Sequence, residues 1–172
     1  MESTVGVGTR FNVTIPLEAP PQAPAAPAAA APAPDEQQGT AHLAFLASRR
    51  PLHLLYVDDD EVNRIIVAGY LQLVPHVSVS LAARGEEALE IARGLLADVM
   101  LIDMMMPGMS GLDVIRAVRA DPALRRTPCI AISANAMAEE IREAREAGFD
   151  GYVTKPISAA TLHAEIARVL TD

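Results

Sequence analysis

The chain has 172 residues, 51% of them hydrophobic, and a formal net charge of −8. That length gives room for one domain of ordinary size and a tail, and an acidic chain without a Lys/Arg cluster excludes the electrostatic footprint of a nucleic-acid binder. One cysteine, Cys129, excludes an internal disulfide framework, and no apolar run reaches the ~18–20 residues that a membrane helix needs.

Three zones follow in chain order. In the first, residues 1–17, Phe11, Val13 and Ile15 alternate with polar residues and read as one half-buried strand. The second, residues 18–50, opens with "EAPPQAPAAPAAAAPAPDEQQG". Its Pro/Ala pattern blocks helix and sheet ladders and favours an extended linker. Fully extended, Ala19 to Pro34 reaches roughly 50 Å at about 3.1 Å per residue. Thr40 to Arg50 reads as a short lead-in helix.

The third zone, residues 51–172, alternates strands and helices. The apolar run "LHLLYV" ends in Asp58, Asp59 and Asp60, and a helix is expected from Glu61 to Val74. His76–Ser80 alternates as a strand; Gly85–Leu96 is amphipathic. "DVMLID" (Asp98–Asp103) reads as a buried strand, followed by a helix over Ser110–Ala120 with Ser110 as N-cap. "PCIAIS" (Pro128–Ser133) is another buried strand, and Ala138–Ala147 a helix stopped by Gly148. "GYVT" (Gly151–Thr154) and a helix over Ser158–Leu170 complete five strand–helix units. Near-continuous apolar strands alternating with amphipathic helices predict an α/β fold with a parallel sheet covered on both faces.

In such a sheet the ligand edge lies past the strand ends. There the chain places Asp58–Asp60, Asp103, Ser133 and Lys155. Lys155 is the one lysine among fourteen basic side chains that are otherwise all arginine. Converging carboxylates repel one another unless a hard divalent cation joins them, and oxygen ligands suit Mg²⁺. One carboxylate then becomes a candidate nucleophile for a phosphoryl group, with Lys155 as a compact point charge and Ser133 as a hydroxyl donor for the product. Each piece alone is common: Lys-Pro occurs in ordinary loops, and acid runs often start helices. All of them at one edge, in order, argue for a site.

These same stretches, "LLYVDDDEVNR", "DVMLIDMMMPGMSGLDVIRAVR", "IAISANAM" and "GFDGYVTKPI", resemble the receiver domain of two-component response regulators, and most of all receivers attached to hybrid sensor histidine kinases. The resemblance covers Leu52 to about Leu170. It implies a flavodoxin-like (βα)5 doubly wound sheet with strand order 2-1-3-4-5, here carrying an extended N-terminal tail. It implies Asp103 as phosphoacceptor and Mg²⁺ held by Asp58, Asp59, Asp103 and the backbone carbonyl of Met105, with Asp58 acting largely through water. Ser133 and Lys155 would hold the phosphoryl group, a cis Lys155–Pro156 bond is expected, and Tyr152 stands at the switch aromatic that moves with Ser133. Pro107 and Gly111 match the turn after the acceptor. Asp60 stands where many such receivers have Asn. "STVGVGTRFNVTIPL" resembles the last turn and strand of a kinase ATP-binding domain. The chain is accordingly expected to be the C-terminal piece of a hybrid kinase without its own ATP-dependent activity. It would phosphorylate itself from a donor and dephosphorylate again. Met105, apolar and two residues past Asp103, is expected to hinder attacking water and slow that hydrolysis.

The expected partner is a histidine phosphotransfer protein or a kinase phosphohistidine domain, with no nucleic acid and no direct membrane contact. The expected location is cytoplasmic, any membrane anchor belonging to the parent kinase. The first helix is apolar nearly all round. If Ile66, Val67, Tyr70 and Leu71 face the sheet, then Val62, Ile65 and Gly69 face out and, with Pro156 and Ile157, offer a docking patch. A rival enzyme reading also fits part of the chain. "LLYVDDDEV" matches the nucleophile motif of haloacid-dehalogenase-like Mg²⁺ phosphatases, with Asp58 as nucleophile and Asp60 as acid and base. Those enzymes need a further acidic motif after the lysine, where only Glu165 and Asp172 follow, and Asp103 would have no role.

Overall fold

The computed structural model describes residues 2–4, 8–10 and 51–171. The chain divides into two units, residues 1–31 and 32–172. In the first, Glu2–Thr4 and Gly8–Arg10 pair as antiparallel strands with Glu2 opposite Arg10. The expected strand across Phe11, Val13 and Ile15, the 18–39 linker and the 40–50 lead-in helix lie outside the described residues.

The second unit alternates strand and helix five times. In chain order these are β1 (Leu52–Val57), α1 (Glu61–Gln72), β2 (Val77–Ala82), α2 (Gly85–Leu95), β3 (Val99–Asp103), α3 (Gly111–Ala120), β4 (Cys129–Ser133), α4 (Ala138–Ala147), β5 (Gly151–Thr154) and α5 (Ala159–Val169). All neighbouring strands are parallel, in the order β2-β1-β3-β4-β5. This is the expected flavodoxin-like topology.

The apolar strands are explained by burial on both faces. On one side Leu55, Val57, Met100, Ile102 and Ala131 pack with Ala88 and Ala92 of α2 and with Val114, Ile115 and Val118 of α3. On the other, Leu54, Tyr56, Leu101 and Ile130 pack with Val67 and Leu71 of α1 and with Leu162 and Ile166 of α5. Period-two alternation along each strand feeds the two layers in turn. Helix ends follow local chemistry. The Ser110 hydroxyl accepts from the Asp113 amide while Asp113 bonds back to the Ser110 amide, a reciprocal N-terminal cap for α3. Gly148, at φ 111°, closes α4 in the left-handed region.

Two expectations are corrected. The second strand does not begin at His76, whose φ of 65° places it in a turn; pairing instead runs on to Ala82 beside Val57. Ile66 does not face the sheet. It is 42% exposed, against 62% for Val62 and 63% for Ile65. The buried stripe of α1 is Val67, Ala68 and Leu71. At about 100° per residue, Ile66 falls on the shoulder away from that stripe.

Among the described residues no helix is long and apolar enough to cross a membrane.

The turn after β3 requires a glycine. A Cβ at Gly111 would meet the Asp103 carbonyl oxygen at 2.5 Å and Met104 Cα at 2.7 Å, both backbone atoms that cannot step aside. Gly111→Ala is expected to lower stability by about 1–3 kcal/mol. Gly94→Ala, in α2 with nothing within 4 Å of the added carbon, is expected to raise it by about 0.5–1 kcal/mol. Urea unfolding of both variants checks the pair, and equal midpoints would contradict this account of the Gly111 turn.

Candidate functional site

β1 and β3 are neighbours at the centre of the sheet, and the helices that follow them, α1 and α3, pack on opposite faces, so the order of strands reverses there. Such a crevice is the usual ligand position in an open α/β sheet. Asp58 follows β1 directly and Asp103 ends β3; both are buried. Asp59 is exposed, and one carboxylate oxygen from each of Asp58, Asp59 and Asp103 lies within 4.8 Å of the others. An all-oxygen donor set with two buried acids fits a hard divalent cation.

Lys155 enters from the end of β5. Its ammonium donates to Asp103 Oδ2 at 2.8 Å and to Asp58 Oδ2 at 3.0 Å. The Lys155 amide donates to the Ser133 carbonyl at 2.7 Å, which sets these two residues side by side at the sheet edge. The Lys155–Pro156 bond is cis, as the resemblance implied. Ser133 is buried at the end of β4, and its hydroxyl accepts from the Asn135 amide at 3.2 Å. Tyr152 is half-buried, and its hydroxyl donates to the Asn135 carbonyl at 2.7 Å, two residues beyond Ser133. The Met105 amide donates to Asp103 Oδ1 at 3.3 Å, while the Met105 side chain is exposed.

The electrostatics differ sharply between the two buried acids. Burial works to raise the Asp58 carboxyl, but hydrogen bonds from Tyr56, Lys155 and the Asp60 amide outweigh it and hold the group below the usual range. Burial raises the Asp103 carboxyl above that range, helped by the charge of Asp58 and only partly offset by Lys155. Lys155 is pushed up despite burial, because both carboxylates accept from it, so it stays charged. Burial pushes the Cys129 thiol up to about 12, which removes it as a nucleophile.

Several contacts were not legible beforehand. The Tyr56 hydroxyl donates to Asp58 Oδ2 at 2.6 Å. Asn63 Nδ2 approaches both Asp58 oxygens at 3.2 and 3.3 Å, and Arg64 donates to the Asp58 carbonyl at 2.6 Å. The available signal was the strand period, which puts Tyr56 on the face of β1 shared by Asp58. Asp60 is not part of the three-acid cluster. Its carboxylate accepts from the Val62 amide at 2.7 Å and caps α1. Of the proposed docking residues, Val62, Ile65, Gly69 and Pro156 are exposed and Ile157 is half-buried.

Residues 54–167 match the response regulator receiver domain family. The chemotaxis protein CheY of Pseudomonas aeruginosa is 36% identical over 118 residues, covering 69% of this chain and 95% of that protein. The structure of CheY4 from Vibrio cholerae superposes with a TM-score of 0.66 at 33% identity, covering 69% of this chain and 98% of the other. The receiver domain of a sensor histidine kinase from Pseudomonas aeruginosa, with a magnesium ion coordinated in its active-site cleft, superposes with a TM-score of 0.65 at 30% identity, covering 70% of this chain and 98% of that one. Matched fold, matched sequence and a three-acid crevice spanned by a lysine agree: the chain belongs to the response regulator receiver domain family of two-component signalling.

Proposed function

We propose that Asp103 accepts a phosphoryl group from a phosphohistidine and passes it on or loses it to water. The carrying observation is the Lys155 ammonium, shared between Asp103 and Asp58 beside a cluster of three carboxylates. Asp58, Asp59, Asp103 and the Met105 carbonyl are the proposed holders of Mg²⁺. The magnesium-bearing Pseudomonas aeruginosa relative supports that choice of ion. Bound Mg²⁺ would offset the carboxylate charge and the charge of the phosphoryl oxygens.

The chain's own groups do the rest. An Asp103 carboxylate oxygen attacks phosphorus, the P–N bond to the donor histidine breaks, and its electron pair returns to the imidazole nitrogen. Lys155 transfers part of its hydrogen bonding from Asp103 to the new phosphoryl oxygens, and Ser133 turns its hydroxyl toward them. The Asn135 amide and carbonyl link Ser133 to Tyr152, so a shift of this loop changes the anchor of the Tyr152 ring. That is the proposed switch. The exposed apolar side chain of Met105, two residues past Asp103, is proposed to slow hydrolysis.

The donor is proposed to be a histidine phosphotransfer protein or a kinase phosphohistidine domain. It would dock on Val62, Ile65 and Gly69 with Pro156 and Ile157, a patch that the exposed Ile66 extends. Residues 1–17 as the end of a kinase ATP-binding domain, 18–50 as linker and lead-in and 51–172 as receiver, within a cytoplasmic hybrid kinase, complete the proposal. The phosphatase alternative is disfavoured: Glu165 is tied to the Tyr152 amide and to Arg168, and Asp60 is occupied as a helix cap.

Incubation with a small phosphodonor and Mg²⁺ is expected to label Asp103, and both Asp103→Asn and chelation of the metal to abolish the label. Label on Asp58 would favour the phosphatase. Ile65→Glu is expected to slow transfer from a phosphohistidine protein while leaving small-donor labelling unchanged; equal slowing of both would remove the docking assignment. Lys155→Met takes away a group that lowers the Asp103 carboxyl, so that carboxyl should rise further above its usual 3.8. A folded-state value above the unfolded one stabilises at low pH and loses that contribution as pH rises through it. The variant's stability should therefore fall over a wider pH range than the parent's, from the unfolded value up to the raised folded value, and level off above it. Carboxyl-carbon NMR of Asp103 reads the titration directly, and an unmoved curve would contradict the Lys155 contact.

A further inference from the structure

Tyr56 is fully buried on β1, with its ring in the layer under α1 and α5. A phenylalanine would fill that space equally well; the hydroxyl is what sets tyrosine apart. The hydroxyl donates to Asp58 Oδ2 at 2.6 Å, the same oxygen that receives Lys155 at 3.0 Å. The other oxygen, Oδ1, accepts from the Asp60 amide at 2.8 Å. Asp58 is thus gripped along its length: backbone amide on one oxygen, phenol and ammonium on the other.

We infer that Tyr56 is a positioning residue for the divalent-cation site, its hydroxyl fixing the Asp58 carboxylate and dividing Oδ2 with Lys155. A carboxylate of no exposure has few ways to be held except by donors. Without the phenol, Oδ2 is left to Lys155 and to the longer Asn63 contact. The Asp58–Lys155 pair then tightens. It draws the ammonium off Asp103 and turns Asp58 away from the crevice where Asp59 and Asp103 converge. A cation entering must break that pair first. Outer-sphere hydrogen bonds to metal-site carboxylates act in this way, and their loss costs roughly tenfold or more in metal affinity.

This inference rests on the cation site proposed above. The test uses the full chain and Tyr56→Phe, titrated with Mg²⁺ alone by calorimetry and by amide NMR shifts at Asp59, Asp103 and Lys155. The expected result is binding by the parent and roughly tenfold weaker binding by the variant. Thermal unfolding with and without Mg²⁺ gives a second readout. A merely structural hydroxyl would lower both unfolding temperatures equally and leave the Mg²⁺-induced rise intact; the positioning role shrinks that rise in the variant. Equal affinity in the two chains, or tighter binding by the variant, overturns the role of Tyr56 while leaving the cation site standing. No binding by the parent overturns both.

Discussion

One ammonium group holds the site together. Lys155 reaches two buried carboxylates from the end of the outermost strand, β5, and its ammonium favours the ionised form of both Asp58 and Asp103 against the cost of burial. Taking away one partner of a buried charge pair typically costs about 3–5 kcal/mol. Lys155 is therefore a structural element of the protein and, in the proposed reaction, the counter-charge for the phosphoryl group. A lysine suits both duties. Its charge is compact, its stem is flexible, and it can pass from one oxygen to another without the fixed fork of arginine.

The frame exists to bring that lysine to those acids. β1 and β3 lie side by side, so the residues that end them share a crevice, and β4 and β5 continue the same edge with Ser133 and Lys155. The turn beyond Asp103 is kept tight by Gly111, whose amide bonds to the Met104 carbonyl. At the open edge of the sheet, Glu165 of α5 accepts the Tyr152 amide at 3.0 Å. That contact occupies an edge donor and fixes the strand that carries Tyr152 and leads directly into Lys155.

Three consecutive acids perform three different tasks because the chain changes direction under them. Asp58 still points inward and is surrounded by donors. Asp59 faces solvent at the mouth of the crevice, available to a cation. Asp60 is already the cap of α1. The run of identical charges would be destabilising on a regular element; at a strand-to-helix turn each acid meets a different environment.

Much of this was legible in the residues. Period-two and 3.6-residue apolar patterns marked all ten elements of the receiver, because a sheet buried on both faces leaves long apolar runs that helices and acids interrupt. Asp58, Asp59, Asp103, Ser133 and Lys155 could be named because parallel strands must all end at one edge. The local patterns could not reveal the direction of Ile66, which depends on how α1 rolls on the sheet. Nor could they reveal the hydroxyl of Tyr56 on Asp58, since in sequence that tyrosine is one more member of an apolar run. Sequence determined which groups arrive at the rim. Tertiary structure alone decided which atoms touch there, because hydrogen bonds between β1, β3 and β5 depend on twist, register and the reach of single side chains across strands distant in the chain.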